Sequence, residues 1–285
     1  MNFYQILAGL FITFIVFLRS MTVKMGTRDF SSKQITFANY FYMVVALCLT
    51  IPFMKDMLIP VGYSNLKSVV AALIKGVMLY TSVRYTADIA KESNSSSVFA
   101  GYISLGVGSL LNFFVLSENL SGVQILACVS LGILGTIFFL KGPASELSKF
   151  GKRAFVYLVG IIILNMFVDN VGISGLNWYM YSIISSFFSF FIALVLLLCE
   201  KQYQYLKELG SPILVLIGVV FAIGEFVILY SMQNYLPVCV AFLFLRLSAP
   251  VVMFVSAYLY KERTPREQLL FGGLALLFAL PILFR

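Results

Sequence analysis

Three ionisable side chains stand inside stretches that are otherwise apolar. Lys75 lies in AALIKGVMLYTSVRY with no acidic residue within a helical turn, Glu225 in AIGEFVILYS, and Arg246 in FLFLRLSAP. At the centre of a lone membrane helix each such charge costs roughly 2.5–3.5 kcal/mol, so the three together cost on the order of 8–10 kcal/mol. They persist only where they face a bundle interior or a wet cavity and find partners. Their chemistry is that of binding. A guanidinium presents a rigid fork of donors suited to a carboxylate or phosphate. Glu225 offers the counter-charge for Lys75, or for the ammonium end of a bound solute, and is the candidate proton-coupled group. With Arg246 in surplus, the three suit a small polar or zwitterionic solute bearing an anionic group.

Polar and aromatic residues add to this candidate site. Tyr80 and Tyr230 lie near the two charged positions, and Tyr40 falls in the second apolar segment. Phe99 and Tyr102 are three apart, so on a helix they share a face, with Gly106 one turn on. Asn165 and Asp169 are four apart and also share a face; Asp169 is close to the end of its segment, where solvent exposure is expected. Trp178 and Tyr179 open a segment and are expected as interfacial anchors. The substrate-binding set is therefore Lys75, Glu225, Arg246, Tyr80, Tyr230, Tyr102, Phe99, Asn165 and Tyr40.

Other chemistries find little support. The chain has no histidine, no HExxH or GxSxG, and no GxxxxGK[ST] phosphate loop. Its four cysteines, Cys48, Cys128, Cys199 and Cys239, are scattered through apolar segments without CxxC spacing, as small packing residues would be. No catalytic residues, metal ligands or cofactor are expected, and an enzyme is not. The net charge of +8 reads as basic loops rather than as a nucleic-acid surface.

The elements that must hold these residues are membrane helices. The 285 residues are 61% hydrophobic and 11% charged, against about 45–50% and about 25% in soluble domains. Apolar segments of about 20 residues, the length needed to cross the hydrocarbon core, recur over 3–18, 35–54, 66–83, 95–116, 121–140, 154–171, 178–199, 212–232, 238–260 and 268–284. The expectation is an all-α integral membrane protein of ten transmembrane helices with short loops. The first segment has no basic leader and no small-residue cleavage site, and reads as a retained helix.

Two self-similarities divide the chain. KGVMLYTSVRY, from Lys75, lies over EFVILYSMQNY, from Glu225, matching Leu79, Tyr80 and Tyr85 with Leu229, Tyr230 and Tyr235. SENLSGVQIL, from Ser117, lies over KERTPREQLL, from Lys261, matching Glu118 with Glu262 and Gln124 with Gln268. The expected organisation is two five-helix repeats, 1–141 and 152–285. An odd number of spans per unit inverts the second copy, the arrangement of many secondary transporters with a midplane site between repeats. On this reading the equivalent positions 75 and 225 approach across a pseudo-two-fold axis.

The helix junctions LSENLSGVQILACVSLGILG and YKERTPREQLLFGGLALLFA resemble the drug/metabolite transporter superfamily in its ten-helix EamA-like form. Lys75-Gly76 is similar to the basic-glycine pair of that family's third helix. The stretch FLFLRLSAPVVMFVSAYLYKE resembles the branch that includes bacterial S-adenosylmethionine transporters. Gly106 stands where the family carries a proline, and Glu225 departs from its pattern. The resemblance implies a secondary active transporter of an amino acid or S-adenosylmethionine-like metabolite, multi-pass in a cell membrane, a bacterial inner membrane above all, and monomeric or homodimeric. The alternatives are an exporter of hydrophobic amines or drugs, a channel, or a non-transporting scaffold.

Orientation is read from charge. Of 20 Lys and Arg, Lys75 and Arg246 lie within spans, Lys55, Lys67 and Arg285 fall on even-numbered loops or termini, and the remaining 15, Arg19 among them, fall on odd-numbered loops. This places the odd loops in the cytoplasm and both termini outside, whereas the resemblance implies cytoplasmic termini.

Overall fold

A computed structural model describes residues 3–58, 65–115, 121–236, 238–260 and 265–283. Glu118, Glu262, Pro237 and Arg285 lie outside these residues, as do the side chains of Cys239 and Gln268. Where described, regular structure is wholly helical. The physical reason is that in lipid every backbone N–H and C=O must be satisfied within its own segment. The helices are α1 (Phe3–Gly26), α2 (Ser32–Thr50), α3 (Leu66–Glu92), α4 (Asn94–Val115), α5 (Gly122–Leu140), α6 (Lys149–Gly175), α7 (Trp178–Cys199), a short α8 (Gln204–Glu208), α9 (Pro212–Asn234), α10 (Val238–Leu259) and α11 (Pro265–Ala279).

Nine helices among the described residues are long and apolar enough to cross a membrane, and the chain is a multi-pass membrane protein. The expected tenth segment appears as the 15-residue α11, shorter than a full crossing. The helices also outrun the apolar windows. α1 continues from 18 to Gly26, α3 from 83 to Glu92, and α6 reaches Gly175. Hydropathy marks where a helix meets hydrocarbon, whereas the backbone ladder continues until a cap or a turn ends it.

Several starts are written locally. Ser31 and Ser121 are N-caps with the Ser-x-x-Gln capping box: Gln34 and Gln124 donate their backbone N–H to the serine Oγ and accept the serine N–H at 2.7 and 2.9 Å. Asn177 caps α7 through a 2.8 Å bond from Met180 N–H.

α1 packs on α9 and α10, while α6 packs on α3 and α4; α2 lies against α7 and α9, and α3 against α7. α4 contacts α5 and α10, and α11 contacts α10 and α5. The tight approach of α3 to α7 needs Gly76, because a Cβ there would stand 2.8 Å from the Ser185 carbonyl oxygen. Ser189 Oγ donates to the Gly76 carbonyl at 2.8 Å, closing the same contact with a hydrogen bond.

Candidate functional site

Six helices, α1, α3, α4, α6, α9 and α10, surround a central cavity of about 160 Å³. One water needs on the order of 10–15 Å³ of such space, so the cavity has room for a small solute. Its charged lining is Arg19, Lys75, Asp169, Glu225 and Arg246, and its neutral polar lining is Ser20, Ser82, Thr86, Ser97 and Asn165.

Lys75 is the centre of the network. Its Nζ donates to Asp169 Oδ1 at 2.6 Å and lies 3.0 Å from Glu225 Oε1. Tyr181 adds a hydroxyl donor to the same Asp169 oxygen at 3.0 Å, and its ring lies 5.3 Å from the ammonium. The side chains of Lys75 and Asp169 are each 2% exposed, so the pair has little water to screen it. The counter-charge expected from Glu225 is present, but the shorter contact is with Asp169. That residue is buried, not at a wet helix end: α6 extends past it for six more residues, to Gly175, and carries it inside the bundle.

Arg19 also changes place. Counted with the first loop, it instead lies within α1 and lines the cavity, with its guanidinium carbon 3.4 Å from the centre of the Phe221 ring. Glu225 and Tyr40 are within its electrostatic reach. The basic count on the odd-numbered loops becomes 14, and the bias against three persists.

Arg246 reaches the cavity over Gly101, where any Cβ would overlap the guanidinium. Its Nε is buried and makes no hydrogen bond to another described residue, and the same holds for the hydroxyl of neighbouring Tyr102.

The remaining expected residues divide. Asn165 lines the cavity beside Asp169, its Oδ1 buried and without a hydrogen-bond partner among the described residues. Tyr40 borders a small side pocket shared with Arg19, Asn39 and Glu225. Tyr80 lines a separate pocket with Lys33 and Glu200. Phe99 stacks on Phe138 at 3.8 Å in the α4–α5 core and not on the cavity, because its face of α4 is taken by α5. Tyr230 is 40% exposed, with its ring edge-to-face on Trp178 at 5.5 Å, so it stands away from the charges. Trp178 and Tyr179 are 5% and 0% exposed, packed against Phe226 rather than set at an outer surface.

No metal-binding group of His, Cys, Asp and Glu occurs among the described residues. Asp169, expected at a solvent-exposed helix end, and Arg19, counted with the first loop, stand outside the expected substrate-binding set, although both carry the signal that marked the other pair: Arg19 precedes Asp169 by the same 150 positions that separate Lys75 from Glu225.

No family model matches the chain, and no curated protein matches it in sequence. Solved structures do match in fold. One of them, described only as "Crystal structure of protein", superposes with a TM-score of 0.57 at 11% identity, covering 94% of this chain and 96% of its own. At that identity the similarity is one of fold alone.

Proposed function

We propose that the chain is a secondary active transporter that carries a small polar solute through the central cavity by alternating access of two inverted five-helix halves, with α11 as the tenth span. It is then a transporter of the kind that the drug/metabolite transporter superfamily comprises. The observation that carries this reading is the charged cavity itself. It brings together five ionisable side chains from five membrane helices, where such groups are costly unless they find partners or serve a solute pathway.

The packing supports the two-fold organisation. Pair α1 with α6, α2 with α7, α3 with α9, α4 with α10 and α5 with α11. The contact of α3 on α6 then has its counterpart in α9 on α1, α3 on α7 in α9 on α2, α4 on α6 in α10 on α1, and α4 on α5 in α10 on α11. The contacts α2–α7, α4–α10 and α5–α11 are their own counterparts.

The same exchange maps Lys75 onto Glu225 and Arg19 onto Asp169, reversing each charge. The contact equivalent to Lys75–Asp169 is therefore Glu225–Arg19. The first is closed at 2.6 Å; among the described residues no carboxylate lies within 4.0 Å of Arg19. Alternating access would trade these two contacts, one closing as the other opens. Such a trade keeps the number of paired charges constant, and so keeps the two states close in energy.

Reconstitution tests the reading. Purified protein in proteoliposomes is expected to give saturable uptake and counterflow of labelled solute against unlabelled solute. Linear, non-saturable flux without counterflow would make it a pore.

A further inference from the structure

Resting on the transport reading, the arrangement of charges narrows the cargo. Three cations and two carboxylates line the cavity, and Lys75 engages both carboxylates. Asp169 is occupied further by Tyr181. Arg19 and Arg246 are left facing the same space within electrostatic reach of one another. No carboxylate among the described residues comes within 4.0 Å of either guanidinium. Two like charges in a low-dielectric interior repel strongly unless an anion lies between them.

We propose that Arg19 and Arg246 form an anion clamp, and that the cargo is a small net anion whose carboxylate or phosphate is held between them. Each guanidinium is already positioned. Arg19 lies on the face of Phe221, which favours a cation there and turns the N–H edge elsewhere. Arg246 extends across the side-chain-free surface of Gly101, its Nε–H without a hydrogen-bond partner among the described residues. Ser20 and Ser97, whose hydroxyls donate to Asn94 and keep acceptor lone pairs, and Asn165, whose Oδ1 has no partner among the described residues, line the same cavity and offer neutral hydrogen-bonding groups for the rest of the solute.

This revises the expectation of a zwitterion with its ammonium on Glu225. That carboxylate already has Lys75 at 3.0 Å and Arg19 in reach, so a substrate ammonium would have to displace a protein cation. The lining sums to one surplus positive charge, which a single anionic head neutralises.

The test is thermal unfolding of the full-length protein in neutral detergent at constant ionic strength. The probes are inorganic phosphate, glycerol phosphate, lactate and succinate, with glycine, methionine and choline as zwitterionic and cationic comparators. At least one anion is expected to raise the midpoint in a concentration-dependent way. Arg19→Gln and Arg246→Gln should each weaken that response roughly tenfold or more, the loss expected for a charge-assisted pair. Lys152→Gln, outside the cavity, should leave it unchanged. Stabilisation by the zwitterions or choline but not by anions overturns the clamp. So does no anion response at all, or an anion response equal in wild type and both arginine variants. Anion binding without counterflow in proteoliposomes would preserve the clamp and sink the transport reading. Counterflow of a zwitterion without anion binding would do the reverse.

Discussion

Lys75 Nζ lies 2.6 Å from Asp169 Oδ1, and each side chain is 2% exposed. This one contact joins α3 to α6, the first half of the chain to the second, through a pair of charges that neither helix could bury alone. Glu225 Oε1 lies 3.0 Å from the same ammonium, so a single cation contacts two acids.

Removing that cation should be the most damaging single change in the network. Lys75→Met leaves Asp169 and Glu225 without the ammonium that both contact, and breaking a buried pair costs about 3–5 kcal/mol. Lys75→Met/Asp169→Asn/Glu225→Gln removes the uncompensated charges together and should recover most of the loss. Unfolding in detergent followed by circular dichroism measures both. A triple variant no more stable than Lys75→Met would show that the loss came from packing rather than from charge.

The place of Arg246 depends on an absent side chain. Gly101→Val should push the guanidinium off its seat and reduce solute binding or uptake by roughly tenfold, the effect of losing one charge-assisted hydrogen bond. Gly132 has open space where a Cβ would stand, so Gly132→Ala is the matched control and should change neither. Equal effects at the two glycines would mean that Gly101 does not seat the arginine.

Asp169→Asn weakens the closed contact and leaves both residues of its open counterpart, Glu225 and Arg19, unchanged. The expected result is a shift toward the opposite-facing state. Two single-cysteine reporters on the cavity wall, Thr86→Cys toward the odd-numbered loops and Met232→Cys toward the opposite face, read this in a background without the native cysteines. Labelling by a membrane-impermeant maleimide should rise at one and fall at the other. Parallel changes at both sites would argue for loosening instead of alternation.

Topology has its own test. Fourteen basic residues remain on the odd-numbered loops once Arg19 is placed in the bundle, against Lys55, Lys67 and Arg285 elsewhere. Cysteine at Lys152 should be reached from the cytoplasm alone, and cysteine at Lys67 from outside alone. The opposite pattern would place both termini in the cytoplasm.

The membrane architecture and the interior placement of Lys75, Glu225 and Arg246 were legible in the chain itself. Length and hydropathy act locally, and lipid leaves an apolar 20-residue segment no alternative to a helix. The tertiary structure decided the partners. Arg19 falls just past the apolar window 3–18 partly because its own charge ends that window, and Asp169 stands two residues from the end of 154–171, where hydropathy alone suggests contact with water. Only the packing of α1 on α9 and α6 on α3 carries both into the interior. Phe99 and Tyr230 show the converse. An aromatic near a charge along one helix faces a cavity or a neighbour according to which helix packs there, and that depends on contacts between segments far apart in the chain.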